Sequence, residues 1–178
     1  MEGTTPFSVV YDSFLSKIVD DMYMELNEKD TYNLLEELLL SSIPKFEFPR
    51  IDLFNYVAKK DLDKKESKKL ETGYFNVVLN SEEVNILATY MIVEWLGQQL
   101  ATVENTRMKY SGSDFKFTSQ ANHMSKILSL KKDYEREGFH LQRLYKRRKK
   151  GEDGTVHSTF DSLMSESPAG REVHTIWN

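Results

Sequence analysis

The side chains best suited to chemistry are four histidines: His123, His140, His157 and His174. None of them stands at the spacing of a metal-binding motif such as HExxH. His123 falls beside apolar positions of an expected helix, which favours a hydrogen-bonded structural role. His157 and His174 lie in a polar C-terminal segment, where we expect them to be solvated.

Other signals of catalysis are missing from the sequence. It contains no cysteine, which excludes disulfides, thiolate nucleophiles and cysteine metal sites, and it has no GxSxG motif or phosphate-binding glycine loop. Adjacent acids such as Glu36 and Glu37 point about 100° apart on a helix and rarely converge on one site. We therefore expect no enzyme and assign no catalytic, cofactor-binding or metal-binding residue.

The strongest electrostatic feature is a basic segment at residues 143–150, which holds six positive charges and no acid. Residues 1–142 carry a net charge of −6, and residues 151–178 carry a net charge of −4. Positive charge complements the carbonyl end of a helix dipole, and it also binds acidic protein surfaces or nucleic-acid backbones. Both interpretations stand. The candidate residues for binding a protein or DNA are Arg143, Lys146, Arg147, Arg148, Lys149 and Lys150.

The last segment of the chain, residues 151–178, has the composition of a tail. It contains three glycines, a proline and several serines and threonines, with no helical or strand period. By itself such a segment is expected to be disordered. Its isolated apolar residues are typical of anchors that bind a partner surface: Phe160, Leu163, Met164, Ile176 and Trp177.

Apolar periodicity predicts a helical hairpin at the start of the chain. Thr5 is expected to cap the first helix, with Pro6 at its first position. Asp30 or Thr31 is expected to cap the second helix, which Pro44 ends. The predicted buried faces are Phe7, Val10, Tyr11, Phe14, Ile18 and Met22 in the first helix, and Leu34, Leu35, Leu38 and Leu39 in the second.

The next segment predicts a small β-hairpin at about residues 46–79. Alternation in Phe46–Phe48 and Ile51–Leu53, interrupted by a proline, favours an edge strand. Gly73–Leu79 is rich in strand-forming residues and is expected to be its partner. The charged stretch 59–71 between them is expected to be an exposed, mobile loop.

A long third helix is expected after this hairpin. Asn80 and Glu83 have the spacing of a capping box. The apolar residues that follow cover a wide angle, which predicts the central core helix. Met91 and Trp95 are expected to be buried in it.

A fourth helix is expected to end the folded part. Phe115–Phe117 is expected to be short and extended, and Thr118 or Ser119 to cap the helix, which continues toward Tyr145. Gly138 falls inside this run. It costs about 1 kcal/mol relative to alanine there and favours a bend.

Together these patterns predict a mainly α fold. Its four-helix core consists of a helical hairpin and two long helices, to which a small β-hairpin and an extended C-terminal tail are attached. Residues 1–150 are expected to form the helical domain and residues 151–178 the tail that docks on a partner.

Five short segments carry a resemblance to a known family: Phe46–Arg50, Leu79–Ala88, Met91–Leu96, Asp114–Met124 and Leu128–Lys132. In its helix lengths, its tryptophan position and its Ser-Gln-Ala-Asn-His entry to the last helix, the chain resembles the head–tail connector adaptors of tailed bacteriophages. These are also called head-completion or neck proteins.

The resemblance implies a structural role in the virion. Such adaptors form a ring, typically a dodecamer, beneath the portal, and they link the DNA-filled capsid to stopper or tail-completion proteins. The implied partners are the portal protein, the stopper or tail protein and further copies of the chain, with non-specific contact to channel DNA and no membrane. Portal contact commonly uses a C-terminal segment, here residues 143–178. The implied location is the neck of the virion, and the host cytoplasm during assembly.

A second hypothesis is that the protein is not part of a virion. A cytoplasmic helical protein could regulate or bind nucleic acid through residues 143–150, without sequence specificity because no recognition module surrounds them. The net charge of −4 for the whole chain argues against a binder that uses its entire surface.

Overall fold

The computed structural model describes residues 3–18, 27–62, 70–109, 117–150 and 156–158. These residues form a mainly helical protein with a small antiparallel sheet, so the predicted fold class is confirmed. The helices are α1 (Ser8–Leu15), α2 (Glu28–Ser42), α3 (Ser81–Lys109) and α4 (Phe117–Arg147), and the strands are β1 (Thr5–Pro6), β2 (Tyr56–Val57), β3 (Tyr74–Phe75), β4 (Arg148–Lys150) and β5 (Val156–Ser158).

The predicted helix start at Thr5 and Pro6 is wrong, because these two residues form β1. The Thr5 hydroxyl donates to the Val77 carbonyl (3.0 Å) and accepts from the Leu79 amide (2.9 Å). Because the Thr5 hydroxyl already makes these two hydrogen bonds, it does not cap the helix. Phe7 precedes α1 and makes no side-chain cap.

α1 presents the apolar face that the sequence predicts. It ends at Leu15, so Ile18 lies beyond the helix, and Met22 lies outside the described residues. Its buried residues are Val10, Tyr11 and Phe14.

α2 starts three or four residues earlier than the two predicted caps imply. The Asn27 side chain caps it by accepting a hydrogen bond from the Asp30 amide (2.9 Å), so neither Asp30 nor Thr31 is the cap. The helix ends at Ser42, and a turn of 3-10 helix that contains Pro44 follows. Leu34 is half-buried, and the core side consists of Leu35, Leu38 and Leu39.

The sheet has β3 in the centre, with β1 on one side and β2 on the other. Thr5 and Tyr56 both lie opposite Phe75 in antiparallel register. A β-hairpin therefore exists within residues 46–79, but only as the short pair β2–β3. Phe7 packs edge-on against Phe75, with ring centroids 4.8 Å apart, and so joins the sheet to α1.

The predicted strand at Phe46–Phe48 and Ile51–Leu53 is wrong. The Phe46 amide donates to the Ile43 carbonyl (3.1 Å), and the Leu53 amide donates to the Ile51 carbonyl (3.1 Å). The Glu47 amide donates to the side-chain oxygen of Gln142 (2.8 Å). Pro49 supplies no donor. The backbone therefore has too few free donors for a sheet ladder, and the alternation of apolar residues reflects burial of single side chains in a loop.

The charged stretch 59–71 is only partly described. Lys59–Asp61 forms a turn of 3-10 helix, and residues 63–69 lie outside the described residues. Leu62 and Thr72 are buried, so the two described ends are packed against the fold. An exposed, mobile loop between them stays a prediction.

α3 is the central helix, and the capping box is confirmed. The Asn80 amide donates to the Glu83 carboxylate (2.8 Å), and the Glu83 amide donates to the Asn80 side-chain oxygen (3.0 Å). Residues 86–93, including Met91, are all buried, and α1 and α2 both pack on this helix. Trp95 is only half-buried, so its predicted place in the core is wrong. A tryptophan is so large that it is rarely fully covered.

α4 begins at Phe117, so this residue is not extended, and Thr118 and Ser119 are not caps because both lie inside the helix. The helix continues through Gly138 to Arg147. Gly138 lies at a close helix contact, because a Cβ atom there would lie 2.8 Å from Cζ of Tyr90. A bend at this position stays a prediction.

α3 and α4 pack antiparallel. Tyr90 lies against Gly138, and a Cβ atom at Gly97 would lie 3.6 Å from Cε of Lys131. Gly97 lies seven residues after Tyr90 in α3, whereas Lys131 lies seven residues before Gly138 in α4, so the two helices run in opposite directions. Both contacts use a glycine, which lets a large side chain of the facing helix approach the backbone.

The chain divides into two compact units, Met1–Gln142 and Arg143–Asn178. In the second unit β4 and β5 pair antiparallel, with Lys149 opposite His157. A strand at Val156–Ser158 was not predicted, because its pairing depends on the basic segment and not on its own composition. Other residues after Lys150 lie outside the described residues, and an extended tail there stays a prediction.

Candidate functional site

The basic segment 143–150 occupies the end of α4 and the whole of β4. In the helical part, spacings of three and four residues place Arg143, Lys146 and Arg147 on one side. These three side chains and that of Arg148 are exposed. The side chains of Lys149 and Lys150 are outside the described set. The structure therefore presents at least four of the six predicted binding residues to solvent.

The five predicted tail anchors all lie outside the described residues: Phe160, Leu163, Met164, Ile176 and Trp177. Their role in binding a partner stays a prediction. Ser158, the last described residue before them, is half-buried and ends β5.

A groove runs along the solvent side of α2 and encloses about 620 Å³. The 3-10 turn at Lys59–Asp61 forms its wall, held in place by a hydrogen bond from the Lys59 amide to the Glu36 carboxylate (3.1 Å). The Lys59 ammonium lies 5.5 Å above the ring of Tyr32, within cation–π range. The residues that line the groove are Lys29, Asn33, Glu36, Glu37, Leu40, Ser41, Lys59 and Lys60.

Beneath this region, Tyr11 is buried with its hydroxyl unpaired among the described residues. Burial raises the pKa of the Tyr11 phenol well above its ordinary value, and the charges of Glu36 and Tyr32 add to this effect. The Tyr11 and Tyr32 rings lie 6.4 Å apart. A neutral phenol here contributes packing and is not a catalytic acid or base at ordinary pH.

Lys17 reaches from the end of α1 to α3. Its ammonium donates to the side-chain oxygen of Asn85 (2.5 Å) and to the hydroxyl of Thr89 (3.3 Å). Burial lowers the pKa of Lys17, and the charge of Glu137 on α4 opposes that shift. Two neutral acceptors and a distant carboxylate make this a polar link between helices.

A second polar cluster links α4 to α3 and to the loop after α2. The Gln142 amide donates to the Tyr90 hydroxyl (2.5 Å) and to the Lys45 carbonyl (2.9 Å), and its oxygen accepts from the Glu47 amide (2.8 Å). Gln142 and Tyr90 are buried. Burial raises the pKa of Tyr90, while the hydrogen bond from Gln142 opposes the shift. Lys45 also pairs with Glu94.

Sequence reasoning missed a set of exposed apolar side chains. The two most exposed are Phe54 and Val78, at 65% and 64%. The only sequence signal for such residues is an apolar residue away from its helix or strand face, which is weak. The other members of the set are Val9, Phe48, Leu128, Leu130 and Phe139.

The two histidines of α4 whose side chains are described, His123 and His140, are both exposed. A hydrogen-bonded structural role for His123 stays a prediction. In the described ranges, no three histidine or acidic side chains cluster in a way that would hold a metal ion. Among the helices that the structure describes, none combines the length and apolar character that crossing a bilayer requires.

No protein-family model, no curated protein and no solved structure matches this chain.

Proposed function

We propose that this protein is a structural subunit of a tailed-bacteriophage virion, a head–tail connector adaptor. In this role copies of the chain form a ring beneath the portal and link the DNA-filled capsid to stopper or tail proteins. The virion neck is its final location, after assembly in the host cytoplasm.

The observation that carries the proposal is the antiparallel pair of α3 and α4. The segments that resemble the adaptor family fall largely on these two helices. α3 is buried along residues 86–93 and supports the fold. α4 is covered on one side by α3 contacts and exposes Leu128, Leu130 and Phe139 on others. A subunit of an assembly can bury such apolar surface against its neighbours.

The basic segment and the tail supply the proposed contacts with other components. Exposed arginines and lysines at residues 143–150 suit an acidic portal surface or channel DNA. The tail anchors beyond Ser158 suit a segment that becomes ordered when it binds a neighbouring subunit. Such a segment can extend over a large partner surface, and it loses conformational entropy on binding.

The test is the mass of the purified chain, alone and mixed with portal-bearing capsid particles from the same source. We expect the chain to join a large particle in which a ring is visible by electron microscopy. Replacing all five tail anchors by serine should abolish that binding, while replacing Ser162, Ser165 and Ser167 by alanine should not. A chain that ignores every capsid component would overturn the proposal.

Exposure of the basic residues at the end of α4 favours a second candidate, non-specific nucleic-acid binding. A protein that makes six phosphate contacts should show a log–log salt slope of roughly −5. Replacing Arg143, Lys146 and Arg147 by glutamine should then reduce the slope by about three units. The matched control replaces Lys126, Lys132 and Arg136, which are exposed elsewhere on α4. Equal effects of the two triple variants would exclude a defined binding segment.

A further inference from the structure

Two short strands near the end of the chain, β4 and β5, form a ribbon with two outer edges. Among the described residues these strands pair antiparallel with each other and with no third strand. In an antiparallel pair, alternate residues direct their backbone N–H and C=O groups away from the partner strand. Such an edge pairs readily with another strand, and a two-stranded ribbon by itself is only marginally stable. The ribbon therefore gains stability when a further strand is added to it.

The two edges of this ribbon differ in charge. All three residues of β4 are cationic, and the strand ends the basic segment 143–150, which has no acid. β5 holds no acid, lysine or arginine, but the sequence around it, residues 151–170, contains four acids and no lysine or arginine. Asp153 and Asp161 each stand three residues from an end of β5, at most about 11 Å along the chain. The β4 edge is therefore basic, and the β5 edge belongs to an acidic segment.

These charges select one way of joining two ribbons. Two β4 edges side by side would put three cations against three, and like charges on facing strands are destabilising. Lysines on an edge strand are one of the devices by which proteins prevent such pairing of like edges. Two β5 edges would bring their acidic flanks together. A β5 edge against the β4 edge of another copy instead places acids beside cations, which favours this pairing over the other two.

We propose that β5 of one copy of this chain pairs antiparallel with β4 of the next copy. The register is the one that the strands have within a copy, with Lys149 opposite His157. This pairing deepens the proposed adaptor function, on which it rests, by naming a contact between ring subunits. Each copy has one edge of each kind, so the contact is heterologous and repeats around an axis. In a closed ring the ribbons form one continuous sheet, and every outer edge is paired, as in a closed barrel.

Cysteine pairing tests which edges meet, because the natural chain has no cysteine. Lys149→Cys protein mixed with His157→Cys protein, in solution or on portal-bearing particles, should form a disulfide-linked heterodimer several-fold faster than Lys149→Cys mixed with Val78→Cys. Each rate is divided by the rate at which the same thiols react with a small disulfide, which corrects for their reactivity. Rates equal to the Val78 control in both settings overturn the contact. Homodimers that form faster than the heterodimer overturn the pairing of unlike edges.

Hydrogen exchange tests the backbone groups of the edges directly. Peptides that cover residues 148–158 should exchange several-fold more slowly in the assembled state than in the dilute monomer, because amides at the outer edges become hydrogen-bonded. Residues 86–93 of α3, which are buried within a single copy, are the control and should not change. Equal exchange of residues 148–158 in both states overturns the pairing. Protection on duplex DNA or portal particles without the Lys149–His157 cross-link assigns the edge to that partner and also overturns it.

Charge exchange tests the electrostatic selection by sedimentation of the full chain. In the proposed register Lys150 of one copy lies opposite Val156 of the next, three residues from Asp153. Lys150→Glu and Asp153→Lys should each weaken self-association by up to about fivefold, the limit for an exposed ion pair, and the double variant should recover most of that loss. Lys126→Glu, an exposed change on α4, is the control for net charge. Losses that simply add in the double variant contradict the selection.

The two proposals can fail separately. Binding to portal particles with no Lys149–His157 cross-link would leave the adaptor role intact and overturn this contact. Cross-linking between copies without binding to any capsid component would support the contact and overturn the adaptor role.

Discussion

A Cβ atom at position 138 would lie 2.8 Å from Cζ of Tyr90, so Gly138 is the residue that lets α4 approach the ring presented by α3. One turn later, Gln142 donates a hydrogen bond to the hydroxyl of that same ring (2.5 Å). α4 therefore contacts Tyr90 in two ways: the ring packs against the backbone at Gly138, and the hydroxyl accepts a hydrogen bond from the Gln142 amide. This double contact sets the position of α4 against α3.

Gly138→Ala should destabilise the protein. On an open helix the change gains up to about 1 kcal/mol in propensity, but here the added methyl overlaps the Tyr90 ring and should cost about 1–3 kcal/mol instead. Urea unfolding measures the difference. Gly97→Ala is the matched control, because its Cβ atom meets Lys131 at an ordinary 3.6 Å and should stabilise the helix. Equal shifts for both variants would contradict the role of Gly138.

Gln142→Met should lower the free energy of unfolding although it keeps the size of the side chain. The change leaves the Tyr90 hydroxyl, the Lys45 carbonyl and the Glu47 amide without this partner. Each buried group that loses its only hydrogen bond costs about 1–3 kcal/mol. Thermal unfolding compares it with Gln98→Met, an exposed position on α3 that should change little. An unaltered melting temperature for Gln142→Met would mean that water replaces the amide without loss.

Asn80→Ala should cost about 0.5–2 kcal/mol, because it removes the oxygen that accepts the Glu83 amide hydrogen bond at the start of α3. Asn80→Asp keeps that acceptor and should retain most of the stability. Chemical denaturation of the two variants distinguishes loss of the cap from a general effect of mutation. If Asn80→Asp fell as far as Asn80→Ala, the cap would not explain the loss.

The buried Tyr11 phenol predicts a loss of stability at high pH. Its pKa is raised in the folded state, so its contribution to folding is fully present below the unfolded value of about 10. Above that pH the unfolded chain loses a proton that the folded chain keeps. Stability should then fall by up to about 1.4 kcal/mol per pH unit.

Tyr11→Phe separates this effect from other alkaline losses. The variant should be at least as stable as the natural chain near neutral pH, since the hydroxyl has no partner among the described residues, and its stability should fall less steeply above pH 10. Unfolding measured from pH 8 to 11 provides the comparison, with Tyr74→Phe as a control for removing one phenol. Parallel curves for the natural chain and Tyr11→Phe would show that Tyr11 ionises in the folded protein.

Local patterns were enough to predict the helices. Periodic leucines identify α2, and the reciprocal Asn80 and Glu83 side chains identify the start of α3, because both signals depend on residues within a few positions of one another. The exposed basic end of α4 was likewise predictable, since six like charges in eight residues resist burial.

Where the sequence-based prediction was wrong, the deciding partner is distant in the chain. Thr5 is a residue type that often caps helices, but its hydroxyl is hydrogen-bonded to the Val77 carbonyl and the Leu79 amide, more than 70 residues away. The apolar alternation after Pro44 resembles a strand, but the Glu47 amide donates to the side-chain oxygen of Gln142, 95 residues away, and not to a neighbouring strand.

The sequence by itself determined the mainly helical class, the capping box and the charge pattern, because periodicity, short-range hydrogen bonds and net charge are local properties. Only the tertiary structure decided that Gly138 is a packing position, that Gln142 links three segments, and that the turn at Lys59–Asp61 forms a groove with α2. Each of these features is a relation between residues far apart in the chain, and such relations exist only after the helices have packed.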